Sequence, residues 1–197
     1  MRWIILYARS RQLPATAAVL VLSTAVLCAL ARSVESPGLR LALAALTVLA
    51  GAMAVGPGLA GADAALDRTA AIAWPPRRAA HLIAGIVATA AVVAAGGALL
   101  SQAGTPMADT GTIMRAAVGL GGLVGLCAAV LGTGRAWLVP VAWTVLMVLN
   151  GPATGSWRVE TLTWLVQPTG GTAATVTALA LGVAGTFGYA IFGAADR

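Results

Sequence analysis

Asp63 and Asp67 stand four residues apart, a spacing that can put two carboxylates on one helix face. Acidic groups at the edge of a membrane can hold a divalent cation, as a metal-dependent membrane phosphotransferase at Asp63/Asp67 would require. Two carboxylates are too few, and the glycine-containing repeat of four aspartates that such enzymes carry is absent. A hydrated helix end is the simpler account of this pair. The single histidine, His81, has no serine in a Gly-x-Ser-x-Gly setting to serve, so a proteolytic site is not expected. Cys28 and Cys127 lie alone in separate apolar runs, without metal or redox spacing. The chain has no lysine, and so no phosphate-cradling loop ending in Gly-Lys. The expectation is a chain with no catalytic, metal or cofactor-binding residue of its own.

Chemistry-bearing side chains gather only in "ALDRTAAIAWPPRRAAH", residues 65–81. The elements around this segment give it meaning. Charged residues make up 9% of the 197 residues and apolar ones 59%, against about a quarter charged in a soluble domain. Six charge-free runs are near or beyond the roughly 20 residues that cross a bilayer core of about 30 Å. The reading is an all-α, polytopic membrane protein with six transmembrane helices, at about 15–31, 39–60, 81–101, 113–132, 136–149 and 172–192. The first run is taken as a retained span, since no small-residue cleavage site follows it. The whole chain, 1–197, then forms a single transmembrane domain.

All twelve basic residues are arginine, and they fall between the apolar runs rather than in one patch. That distribution is a topology signal and argues against nucleic acid. Eight (Arg2, Arg9, Arg11, Arg68, Arg77, Arg78, Arg135 and Arg197) fall on one side of the six-span layout. Four (Arg32, Arg40, Arg115 and Arg158) fall on the other. The bias places both termini in the cytoplasm of a plasma-membrane protein. By these boundaries no ionisable residue sits mid-span, which weighs against a proton-driven antiporter or an ion channel.

Three connecting pieces stand out. Residues 1–14, "MRWIILYARSRQLP", read either as an interfacial helix in the headgroup layer or as an ordinary basic flank. Residues 61–80 favour a short surface helix that Pro75-Pro76 stops, with Arg77 and Arg78 opening the third span. A basic loop set by topology alone is the alternative. Residues 151–171 hold Trp157, Leu162, Trp164, Leu165 and Val166, an apolar set too short to span. They read either as short re-entrant helices, buried by protein, or as a surface helix with tryptophans at headgroup level. Gly121 and Gly125, and Gly182, Gly185 and Gly188, recur at helical spacing and mark close helix packing.

This layout resembles the six-span permease of type-2 ABC exporters. The matching pieces are "MRWIILYARSRQLP", "ALDRTAAIAWPPRRAAHL" and "LTWLVQPTGG". Asp67-Arg68-Thr69 stands where that family has a Glu-Arg-x-x-Gly-Thr run, and Gln167-Pro168 replaces Asn-Pro. The resemblance implies a coupling helix at 61–80 that docks on a cytosolic ATP-binding cassette subunit, with ATP and magnesium bound by that partner. It implies a second permease, identical or similar, in a dimer. Asp67, Arg68, Ile72, Trp74, Pro75, Pro76, Arg77 and Arg78 would form the ATPase contact. Trp157, Trp164, Gln167 and Pro168 would belong to the re-entrant, substrate-exit region. The near charge-free interior suits a lipid, hydrophobic drug or amphipathic peptide. A membrane accessory or scaffold protein without a transport path is the competing expectation.

Overall fold

The computed structural model describes residues 12–60, 74–152 and 155–195. Regular structure among them is helical throughout: seven α-helices and two short 3-10 turns. Helix α1 runs Leu13–Arg32, with Pro14 in its first turn where a missing N–H costs nothing. Helix α2 runs Pro37–Val55 and tightens into a 3-10 turn at Gly56–Leu59. Helix α3 runs Trp74–Gln102, α4 Thr110–Leu131, and a 3-10 turn at Thr133–Arg135 leads to α5, Leu138–Asn150. The short α6 covers Trp157–Leu162 and α7 covers Thr172–Phe192.

Five of these, α1, α2 with its 3-10 extension, α3, α4 and α7, are long and apolar enough to cross a membrane. The protein is thus a helical membrane protein by length and composition of its elements. Helix α5 departs from the sixfold expectation. Its 13 residues rise about 20 Å, short of a core of about 30 Å. Helix α3 departs in the other direction. It already includes Trp74, Pro75 and Pro76, well before residue 81.

Contacts at small residues give the helix directions. Gly51 of α2 meets Leu20 of α1 and Thr89 of α3, while Thr16 Oγ1 donates to the Ala54 carbonyl at 3.0 Å. Gly85 of α3 meets Val55 of α2. Higher numbers on one helix pair with lower numbers on the next, so α1, α2 and α3 alternate. Leu82 of α3 faces Gly125 of α4, and Ile86 faces Gly121, so α4 again reverses.

Helix α7 breaks the alternation. Val118 of α4 meets Gly182, Gly122 meets Gly185, and Leu126 meets Gly188. The numbers rise together, so α4 and α7 are parallel. Their ends agree: Gly111 lies by Thr169 at one end, and the Ala195 N–H donates to the Ala128 carbonyl at 3.0 Å at the other. The intervening chain must therefore return along the height of the bundle. Helix α4 is the most buried of the long helices and α1 the least.

Candidate functional site

Two consecutive turns of α4 hold the segment before α7. Asp109 caps the helix: its carboxylate accepts from the Thr112 N–H at 3.0 Å and from Thr112 Oγ1 at 2.6 Å. Burial pushes this carboxyl up, but the hydrogen bonds from Thr112 and the Gly111 N–H outweigh it and hold the group below its ordinary value. One and a half turns into α4, Arg115 is only 7% exposed. Its Nη1 donates to the Pro168 carbonyl at 3.1 Å and its Nη2 to the Gln167 carbonyl. One turn further, Gly119 leaves the notch that takes Trp164. A Cβ at 119 would stand 2.4 Å from the indole Cη2.

The captured segment is braced internally. Gln167 Nε2 donates to Thr163 Oγ1 at 2.6 Å, and that hydroxyl donates to the Val159 carbonyl at 2.7 Å. Trp164, Leu165, Val166 and Gln167 are all buried. Trp157 is not; it is 66% exposed, with the Arg158 guanidinium 5.5 Å from the ring centroid. The expected re-entrant group therefore divides. Trp157 points away from the bundle, whereas Trp164, Gln167 and Pro168 belong to a latch on α4. Beside the latch lies a cleft of about 330 Å³, between Arg115, Met114 and Val118 of α4 and Thr175 and Leu179 of α7.

Arg115 corrects the sequence reading. By sequence it is an outside topology charge; in the fold it is a buried tie within a span-length helix. A buried guanidinium must have partners, and its partners lie 52 and 53 residues away, beyond any local pattern. Gly119 was likewise missed. The signal that could have drawn attention to Arg115 is its place at the edge of an apolar run, six residues after an aspartate that can cap a helix.

At the other end stands the opening of α3. Of the residues assigned to ATPase coupling, Asp67, Arg68 and Ile72 lie outside the described residues, as do Asp63 and residues 1–11. Trp74, Pro75, Pro76, Arg77 and Arg78 share the first turns of α3. The Arg78 guanidinium lies against the end of α7, where a Cβ on Gly193 would stand 2.8 Å from Arg78 Cζ. A cation suits the negative end of the helix dipole. Close by, Tyr189 of α7, almost wholly buried, donates its hydroxyl to the Leu59 carbonyl at 2.6 Å.

The chain matches no protein-family model, no curated protein and no solved structure.

What joins the two ends is the glycine seam. Leu82 and Ile86 of α3, four apart, press into Gly125 and Gly121 of α4, also four apart. On its other side α4 meets α7 backbone to backbone. A Cβ at Gly185 would stand 1.8 Å from the Gly122 carbonyl oxygen, and one at Gly122 would stand 2.3 Å from the Leu181 oxygen. The anticipated packing residues Gly121, Gly125, Gly182 and Gly185 all sit at such contacts. Gly188 makes only ordinary contact with Leu126, and Gly122 is the member that the sequence reading passed over. No group of three or more metal-ligating side chains occurs among the described residues. A long helix, α3, thus packs on a central helix, α4, that holds the braced segment at the far end.

Proposed function

We propose that this chain is the permease subunit of an ATP-driven exporter of the type-2 ABC kind. It would work with separate cytosolic ATPase subunits and a second permease, and move a hydrophobic or amphipathic substrate outward. The observation that carries the reading is the length and gearing of α3. Its 29 residues extend about 43 Å, some 13 Å beyond a bilayer core of about 30 Å. A push received below Trp74 therefore reaches Leu82 and Ile86 through unbroken helix, and through them Gly125 and Gly121 of α4. An ATPase that held residues 61–78 differently in its two states would bias α4, and with it the Arg115 latch.

In this reading the chain crosses the plasma membrane six times, with both termini cytoplasmic. The parallel course of α4 and α7 supports the sixth crossing, because an odd passage must separate two parallel neighbours. Helix α5 supplies about 20 Å of that passage and the flanking turns the remainder. The arginine count supports the orientation more strongly once Arg115 is set aside as buried: eight remain at the cytoplasmic side and three outside. The 163–168 latch takes the place of the re-entrant helices before the last span.

The test is purification of the tagged chain from its own membrane in mild detergent. A soluble subunit with ATP hydrolysis activity should come with it, and Arg77→Glu with Arg78→Glu should uncouple hydrolysis from transport at normal expression. Transport that persists unchanged in that double variant refutes the lever. A chain that purifies without any ATPase favours an accessory protein instead.

A further inference from the structure

A wide opening lies between α1 and α3, beside the Trp74 end of α3. It has a volume of about 740 Å³, within the range of small-molecule sites. Leu13, Leu20 and Val21 of α1, Val55 of α2, and Ala88 and Val92 of α3 form its apolar walls. Arg77 and His81 stand at its mouth, one helical turn apart. None of the thirteen lining residues is acidic. Val21, Ala84 and Ala88 are exposed, so the groove opens sideways where a bilayer would lie.

We propose that this groove binds one acyl chain of an anionic membrane phospholipid, with its phosphate held at Arg77. Three features select that occupant. First, the length fits. Arg77 to Val92 is 15 residues of helix, about 22 Å, which matches one leaflet's half of the core, about 15 Å, plus a headgroup layer of about 6 Å. Second, the walls are apolar almost throughout, as a hydrocarbon chain requires and a polar solute does not. Third, the mouth carries the Arg77 guanidinium, with no acidic lining residue among the described residues, and its planar fork suits phosphate oxygens. A zwitterionic lipid would bring its own ammonium to a mouth with no acidic lining residue. The lateral opening selects a lipid already in the leaflet over an amphiphile arriving from water. This inference stands apart from the exporter reading, since it needs neither ATPase nor transport.

The test uses the full chain in phosphatidylcholine nanodiscs with a trace of phosphatidylglycerol carrying a photoactivatable group in one acyl chain. After irradiation, labelled peptides are located by mass spectrometry. Label should concentrate on residues 13–21 and 77–92. Unlabelled phosphatidylglycerol should displace it several-fold better than phosphatidylcholine. Arg77→Gln should reduce that preference about fivefold, the effect of one exposed charge pair. Ala88→Trp, which fills the groove from an exposed position, should abolish the label while the variant keeps its helicity and elution volume. A parallel arm uses photoactivatable palmitic acid. Label spread evenly over the outer faces of α1, α3 and α7, and unmoved by Ala88→Trp, overturns the proposal. So does stronger displacement by free palmitate than by phosphatidylglycerol. Labelling that emerges only when residues 1–11 are deleted overturns it too, because that segment would then be the occupant.

Discussion

Replacing Gly185 with alanine adds one methyl group at the tightest glycine contact among the described residues. The new Cβ would start 1.8 Å from the Gly122 carbonyl oxygen, and 3.4 Å is the near edge of ordinary contact. The obstruction is backbone, so no side chain can swing aside. Helices α4 and α7 must part by about 1.6 Å or slide past one another. A gap of even about 1 Å forfeits a quarter to a half of the dispersion energy of each contact across it. Overpacking of this kind costs about 1–3 kcal/mol, and a rigid backbone obstruction places this case near 3 kcal/mol. For a chain of this size that is a fall in Tm of about 6–12 °C. Gly188→Ala is the internal control. Its Cβ would stand 3.6 Å from Leu126 Cδ1, an ordinary contact, and alanine favours helix over glycine by up to about 1 kcal/mol. Thermal unfolding in one detergent, followed by circular dichroism, compares the two. Equal melting of the two variants refutes the backbone contact and the parallel packing drawn from it.

Other expectations follow from the ties at either end. Arg115→Met removes the guanidinium's hydrogen bonds to the Gln167 and Pro168 carbonyls, at a cost of about 1–3 kcal/mol, and hydrogen exchange should rise selectively across residues 163–170. Tyr189→Phe removes a buried hydrogen bond to Leu59; it should cost about 1 kcal/mol and loosen residues 56–60 in the same assay. Asp109→Ala should cost about 1 kcal/mol through loss of the α4 cap. Because the folded carboxyl lies below its ordinary value, its contribution is fully present above about pH 3.9. It should fade as pH falls from there through the folded value, and Asp109→Ala should flatten that part of the acid stability profile.

Sequence reading fared best where the physics is one-dimensional. Burial in lipid demands length and apolarity, so α7 emerges at the anticipated 172–192 and α4 lies within three residues of its expected limits. The glycine pairs were legible for a similar reason: small residues at helical spacing have few uses inside a bilayer other than close approach. The near limit of α3 differs from the expected one because Pro75 and Pro76 read as breaking a helix, whereas both lie within α3. Arg115 reads wrongly because its partners are distant in sequence. An arginine beside an apolar run looks like a topology charge until Gln167 and Pro168 are brought to it. For Trp164 the sequence leaves a protein-buried and an interfacial reading open, and the notch at Gly119 selects the first. Gly122 escaped because Gly121 and Gly125 already made a pair, although they chiefly face α3 while Gly122 faces α7.

The exporter reading requires that the chain recross the membrane between α4 and α7. Single cysteines at Gly134 and Ser156, both exposed, in a background with Cys28 and Cys127 replaced by alanine, test this directly in sealed, right-side-out cells. A membrane-impermeant maleimide should label position 156 in intact cells and position 134 only after lysis. Labelling of both positions from the same side would mean that α5 does not complete a crossing, and the six-span exporter account would fall with it.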